Sequence, residues 1–178
     1  MILPDAETFM SVSARVLPVI IFSAMAAATS SAKEKWTVCS APDADFVLQI
    51  PAKLIHSATY TAGSCSFQTP DGEFSVEAIA ARSSRKERNE TLDARMQKET
   101  ELLGGTVTYK KLGHNWFVLF GVTPDGTEYY RKLFMNDARW VTLRMTYPRV
   151  QHKKYGKWVA RIDKIFVPFV IREAERGH

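Results

Sequence analysis

The chain has 178 residues, 46% of them hydrophobic, with 24 Lys+Arg against 19 Asp+Glu and two cysteines. That apolar share excludes a disordered chain, and the length allows one proper core but hardly two, so a single domain is expected. A formal charge of +5 is a moderate excess, compatible with anionic surfaces and equally with scattered solvated charges.

The N-terminus reads as a secretory leader. Val16 to Ala28 (VLPVIIFSAMAAA) is an apolar run too short to span a bilayer comfortably, and small residues ending at Ser30-Ser31-Ala32 follow it. A start at Met1 gives an n-region with Asp5, Glu7 and only Arg15 as a base, whereas a start at Met10 keeps Arg15 alone. Met10 is the expected initiator and Met1 the alternative. The expected organisation is a leader over 1–32 and one domain over 33–178, with an uncleaved membrane anchor as the alternative to cleavage. Removing Asp5, Glu7 and Arg15 leaves 23 Lys+Arg against 17 Asp+Glu, a formal +6. No cysteine stands at the cleavage point, which argues against a lipoprotein.

In an oxidising compartment Cys39 and Cys65 most simply form one disulfide, worth about 3 kcal/mol on the chain-entropy model. Lys35 to Ser40 is a short strand or extended arm, and Phe46 to Ile50 is a strand ended by Pro51. Thr59 to Thr69 and Glu73 to Ala81 flank Thr69-Pro70-Asp71-Gly72, the signature of a hairpin turn. Arg82 to Arg88 (RSSRKER) is a basic polar connection. Asn89 is the expected N-cap of a helix over Glu90 to Leu103, with Leu92, Met96, Glu99 and Leu103 on one stripe and Gly104-Gly105 as the stop.

Thr106 to Leu112 is the next strand, and a three-stranded meander follows it. Trp116 to Val122 is apolar on both faces, as in a strand covered on both sides. A second Thr-Pro-Asp-Gly, at Thr123 to Gly126, turns it into Thr127 to Met135. After Asn136-Asp137 comes Trp140 to Tyr147, with Val141, Leu143, Met145 and Tyr147 on its core face. Gln151 to Phe166 has helical spacing, with Tyr155, Val159, Ile162 and Phe166 on its stripe and Trp158 and Ile165 beside it. Gly156 weakens its first turn by about 1 kcal/mol. Pro168 ends that helix, and Phe169, Val170 and Ile171 are read as folding back onto the core. The predicted class is α+β, an antiparallel sheet flanked by helices on both faces.

The quoted residues carry a resemblance. Phe46-Val47-Leu48-Gln49-Ile50-Pro51-Ala52-Lys53-Leu54, Asp71-Gly72, Gly105-Thr106-Val107-Thr108-Tyr109-Lys110, Trp116-Phe117-Val118-Leu119, Tyr129-Tyr130-Arg131-Lys132 and Leu143-Arg144-Met145-Thr146-Tyr147-Pro148 resemble exported bacterial members of the PsbP-like superfamily. The resemblance covers roughly Phe46 to Phe169 and is a pattern of core and turn residues. It implies an α/β/α sandwich used as a binding or accessory module, as in an extrinsic photosystem II subunit, a nuclear-transport factor that binds a small GTPase, and envelope proteins of unknown role. The family pattern has no catalytic residues to carry over. The chain departs from it in Cys39 and Cys65 and in the extra N-terminal strand.

Nothing in the sequence assembles a reaction centre. His56, His114, His152 and His178 are scattered with no metal-protease spacing, Gly63-Ser64-Cys65 lacks the second glycine of a nucleophile elbow, and paired cysteines are not metal ligands. Trp116, Trp140, Tyr129 and Tyr130 stand at strand spacing and are read as cross-strand packing. The expectation is a non-catalytic exported binding or accessory module of the bacterial envelope, without cofactor or metal. Its partner is a protein or an anionic envelope component, not nucleic acid. The candidate contact residues are Arg82, Arg85, Lys86 and Arg88, or His152, Lys153 and Lys154 before the last helix. An envelope-acting hydrolase and a protein secreted to act on a host are the alternatives.

Overall fold

A computed structural model describes residues 35–39, 46–136 and 139–169. The expected leader, its cleavage point, both candidate initiators, Asp137, Val170, Ile171 and the charged C-terminal tail with His178 lie outside the described residues.

Two antiparallel sheets form the frame. The larger runs in the order β3 (Ser57–Thr61), β4 (Ser64–Gln68), β5 (Ser75–Arg82), β9 (Arg139–Pro148), β8 (Thr127–Met135), β7 (Trp116–Val122), β6 (Thr106–Leu112). The smaller consists of β1 (Trp36–Cys39), β2 (Phe46–Pro51) and the two-residue β10 (Val167–Pro168), with β2 central. A one-turn helix, α1 (Arg85–Arg88), and two longer ones, α2 (Leu92–Leu103) and α3 (His152–Ile165), complete the described elements. The extra N-terminal strand therefore exists, and its place is the small sheet beside β2.

Three expectations shift. Thr59 to Thr69 is not one arm of a hairpin but a hairpin of its own, β3 and β4, because Gly63 takes φ +75° and Ala62-Gly63 closes a two-residue turn. The connection after β5 is partly helical, since Ser84 and Glu87 cap one another: the Glu87 N–H donates to Ser84 Oγ at 3.2 Å and the Ser84 N–H to Glu87 Oε2 at 2.9 Å. Thr91, not Asn89, caps α2, its hydroxyl accepting from the Ala94 N–H at 3.2 Å. The glycine stop holds, with Gly104 at φ +63°.

Burial divides β8 cleanly. Tyr129 and Leu133 pack with Phe117, Leu119 and Met96 of α2. Tyr130 and Phe134, the alternate residues, pack against the larger cluster, which holds Val76, Ala78, Val141, Leu143, Met145 and Tyr147 with Tyr155, Trp158, Val159 and Ile162 of α3. Phe169 joins that cluster, as expected. Gly121 shows why a residue without Cβ sits mid-strand: a Cβ there would lie 2.2 Å from Thr106 O and 2.5 Å from Tyr129 Oη.

The α2 stripe contains an acid by design of its partner. Glu99 is buried, and it pairs with Arg131 of β8 and with Arg95 at 3.3 Å. The two edges of the large sheet are its most open parts. Every residue of β3 is exposed, and so is every residue of β6 except Val107, which is half-buried.

Candidate functional site

The sequence pointed to two basic runs, and the structure gives them unlike settings. Arg82 ends β5, exposed and directly opposite Arg139 of β9, while Arg85, Lys86 and Arg88 lie in α1. Between them Glu87 receives Arg95 at 3.2 Å. Hydrogen bonds from Ser84, then Arg95, hold the Glu87 carboxyl below the usual range. His152, Lys153 and Lys154 do not precede the last helix but form its first turn.

That turn is largely neutralised. Lys154 Nζ donates to Asp71 Oδ2 at 2.9 Å and to Glu73 Oε2 at 3.3 Å, and Tyr155 Oη donates to Asp71 Oδ2 at 3.0 Å. The first TPDG turn is thereby tied to α3, and Lys154 is part of the tie. The Thr69 hydroxyl, then Lys154 and the Glu73 N–H, hold the Asp71 carboxyl well below its ordinary range. A carboxyl depressed in the fold contributes stability above its unfolded pKa, near 3.8, and loses it as pH falls through the lower folded value. Asp71→Asn is therefore expected to lower stability at pH 7 and to flatten the acid limb of a urea-unfolding series, the two proteins converging at the most acidic pH.

A different site emerges along the other flank of α3, a cleft of about 360 Å³ between the helix and the large sheet. Four strands each supply one ring to it: Tyr109, Phe120, Tyr130 and Tyr147. Register explains the row, because Tyr109 lies opposite Phe120 and Phe120 opposite Tyr130. From α3 come His152, Gly156, Val159, Ala160 and Asp163, spaced four, three, one and three along one face. Gly156 leaves room that a side chain would take; a Cβ there would stand 3.4 Å from the His152 ring.

Polar groups gather at the two ends of this cleft. At one, His152 Nδ1 lies 2.7 Å from Glu128 Oε2 and 3.4 Å from Tyr147 Oη. An ionised carboxylate only accepts, so Nδ1–H is the donor and the ring is held at Nδ1. The Glu128 side chain is 8% exposed and that of His152 57%. At the other end, Asp163 Oδ1 accepts from Lys132 Nζ at 2.9 Å. Burial, then a hydrogen bond to Asp163, raises Tyr130 far above the ordinary phenol range, and burial followed by Glu128 does the same to Tyr147. Both phenols are therefore neutral at any physiological pH. The residues between the ends are apolar, and the lining as a whole offers ring faces and hydrogen bonds.

Of the sequence candidates only His152 belongs to this cleft, and its role there differs from that of a basic contact. Of the four strand aromatics read as packing, Tyr130 lines it, while Tyr129 packs beneath α2. The signal that could have found the cleft is Gly156, a poor helix former on a helix otherwise well patterned. Cys39 and Cys65 form the expected disulfide. No helix among the described residues is long and apolar enough to cross a membrane.

No protein-family model matches the sequence, and no curated protein matches it. Solved structures do. The solution structure of cyanobacterial PsbP (CyanoP) from Synechocystis sp. PCC 6803 superimposes with a TM-score of 0.56 at 8% identity, over 82% of this chain and 99% of that one. PA94, a protein of unknown function from Pseudomonas aeruginosa, gives 0.47 at 12% identity, over 76% and 99%. The fold is PsbP-like.

Proposed function

We propose that the chain is an exported, non-catalytic binding module of the bacterial cell envelope, and that the aromatic cleft along α3 holds its ligand. The cleft is the observation that carries this reading: an apolar concavity with few convergent polar groups, built on strands and a helix rather than on loops, is what small-ligand sites are made of. The buried disulfide supports export to an oxidising compartment. The alternation along β8 supports an α/β/α sandwich, with α2 covering one face of the large sheet and α3 the other.

Filling the cleft is the direct test. Gly156→Phe is expected to abolish binding of small-molecule fragments at the amide resonances of Tyr109, Phe120, Tyr130 and Val159, while Lys153→Glu on the solvent side of the same helix leaves it intact. A fragment library that moves none of these resonances in the unaltered protein would sink the reading.

A further inference from the structure

The proposal of a ligand cleft leaves its ligand's chemistry open, and the lining narrows it. Four aromatic rings occupy one wall, and the faces of such rings carry negative electrostatic potential, so they attract cations and repel anions. The phenols of Tyr130 and Tyr147, held neutral by burial, do not weaken this by ionising into competing charges. Carboxylates stand at both ends: Asp163 on the helix wall and Glu128 beside Tyr147 and His152. Nine helical residues before Asp163 the ammonium of Lys154 is already turned to Asp71 and Glu73, away from this use. His152, which carries Glu128 behind it, and Asp163 lie eleven helical positions apart, about 16 Å at the helical rise, so an elongated ligand meets a carboxylate at one end and a carboxylate-backed imidazole at the other.

A hydrocarbon would strip water from the Asp163 carboxylate, which a single lysine contact satisfies only in part, and offer it nothing in return. An anion would meet the carboxylates and the ring faces together. We infer that the cleft binds an organic ammonium ion, its alkylated cationic head against the rings of Tyr109, Phe120 and Tyr130 and within reach of the Asp163 carboxylate. This rests on the reading of the cleft as the ligand site. Lys132 neutralises Asp163 from outside the lining, which keeps the head's attraction to the rings the larger part of its selectivity.

Choline and 3,3-dimethylbutan-1-ol have the same shape and differ in charge, so the pair separates attraction to a cation from simple apolar fit. Titrating the purified protein with each, followed by two-dimensional amide NMR, is expected to move Tyr109, Tyr130, Gly156 and Asp163 with choline at an affinity about tenfold above that of the neutral alcohol. Asp163→Asn should reduce the preference, and Tyr130→Phe, which keeps the ring, should retain most of it. Equal or tighter binding of the alcohol at these residues overturns the ammonium assignment and leaves the cleft as an apolar site. Shifts at none of them with either compound, nor with any fragment, overturn the assignment and the ligand cleft together.

Discussion

Replacing Glu99 by alanine is expected to destabilise the protein by about 3–5 kcal/mol, the cost of breaking a buried ion pair from one side. Glu99 and Arg131 have side chains only 10% and 14% exposed, and the acid reaches Arg95 as well. The two arginines do not depend on it equally. Burial pulls Arg95 down, but the hydrogen bonds it donates to Glu90 and Glu87, with Glu99 nearby, carry it above its ordinary range. Arg131 ends below its ordinary range, because burial and then the Arg144 guanidinium outweigh what Glu99 returns. Without Glu99, Arg131 is a buried cation facing another directly across the strands. Urea unfolding followed by circular dichroism measures the loss. The double replacement Glu99→Met with Arg131→Met should recover most of it, since two apolar side chains of similar volume remove both charges at once. A single variant as stable as the parent would show that the pair contributes nothing.

The second large effect is covalent. Cys39 belongs to β1 of the small sheet and Cys65 to β4 of the large one, so their bond joins the two sheets. Both cysteines are fully buried. With a sequence separation of 26, the chain-entropy model gives about 3 kcal/mol. Cys39→Ala with Cys65→Ala is expected to lose about that much, a fall of about 6–12 °C in Tm for a domain of this size. Reductant should lower the parent's melting point by a similar amount and leave the double variant's unchanged. Calorimetry showing no response of the parent to reductant would remove the staple from the stability of this fold.

What could be read from the chain alone was whatever short-range pattern decides. The strands over Thr106–Leu112 and Thr127–Met135 appear with the bounds that alternation and the second TPDG turn gave them. The core face of β9, with Val141, Leu143, Met145 and Tyr147, likewise follows from period two alone. β3 and β4 escaped because Ser57 to Ser66 is rich in serine and threonine and has no apolar face to mark two strands. α1 escaped because its cap is made by Glu87, an acid hidden in a run that reads as basic. Glu99 on an apolar stripe gave away the helix but not its reason, which lies in Arg131 on a strand 32 residues later.

The cleft was invisible for a stronger reason. Tyr109, Phe120 and Tyr130 become neighbours only through the pairing of β6 with β7 and β7 with β8, including an irregularity between Val107 and Tyr109 that sets the first ring's position. Register across three strands and the placement of α3 are tertiary facts. The setting of the basic run at the start of α3 was hidden for the same reason, since the acids that pair with Lys154 lie 81 and 83 residues earlier.

The two open edges of the large sheet are guarded unequally. β6 carries Lys110 and Lys111, and an added strand would have to approach that pair of charges. β3, Ser-Ala-Thr-Tyr-Thr, carries none. Hydrogen-bonding groups along an uncharged edge invite a second strand, and the strand most available in a concentrated solution is β3 of another copy. Edge-to-edge union through β3 relates the two copies by a two-fold axis and leaves a lysine-bearing β6 at each outer end. A union of that kind would leave only charged edges outward, which oppose a further strand and so favour a closed pair over a fibre.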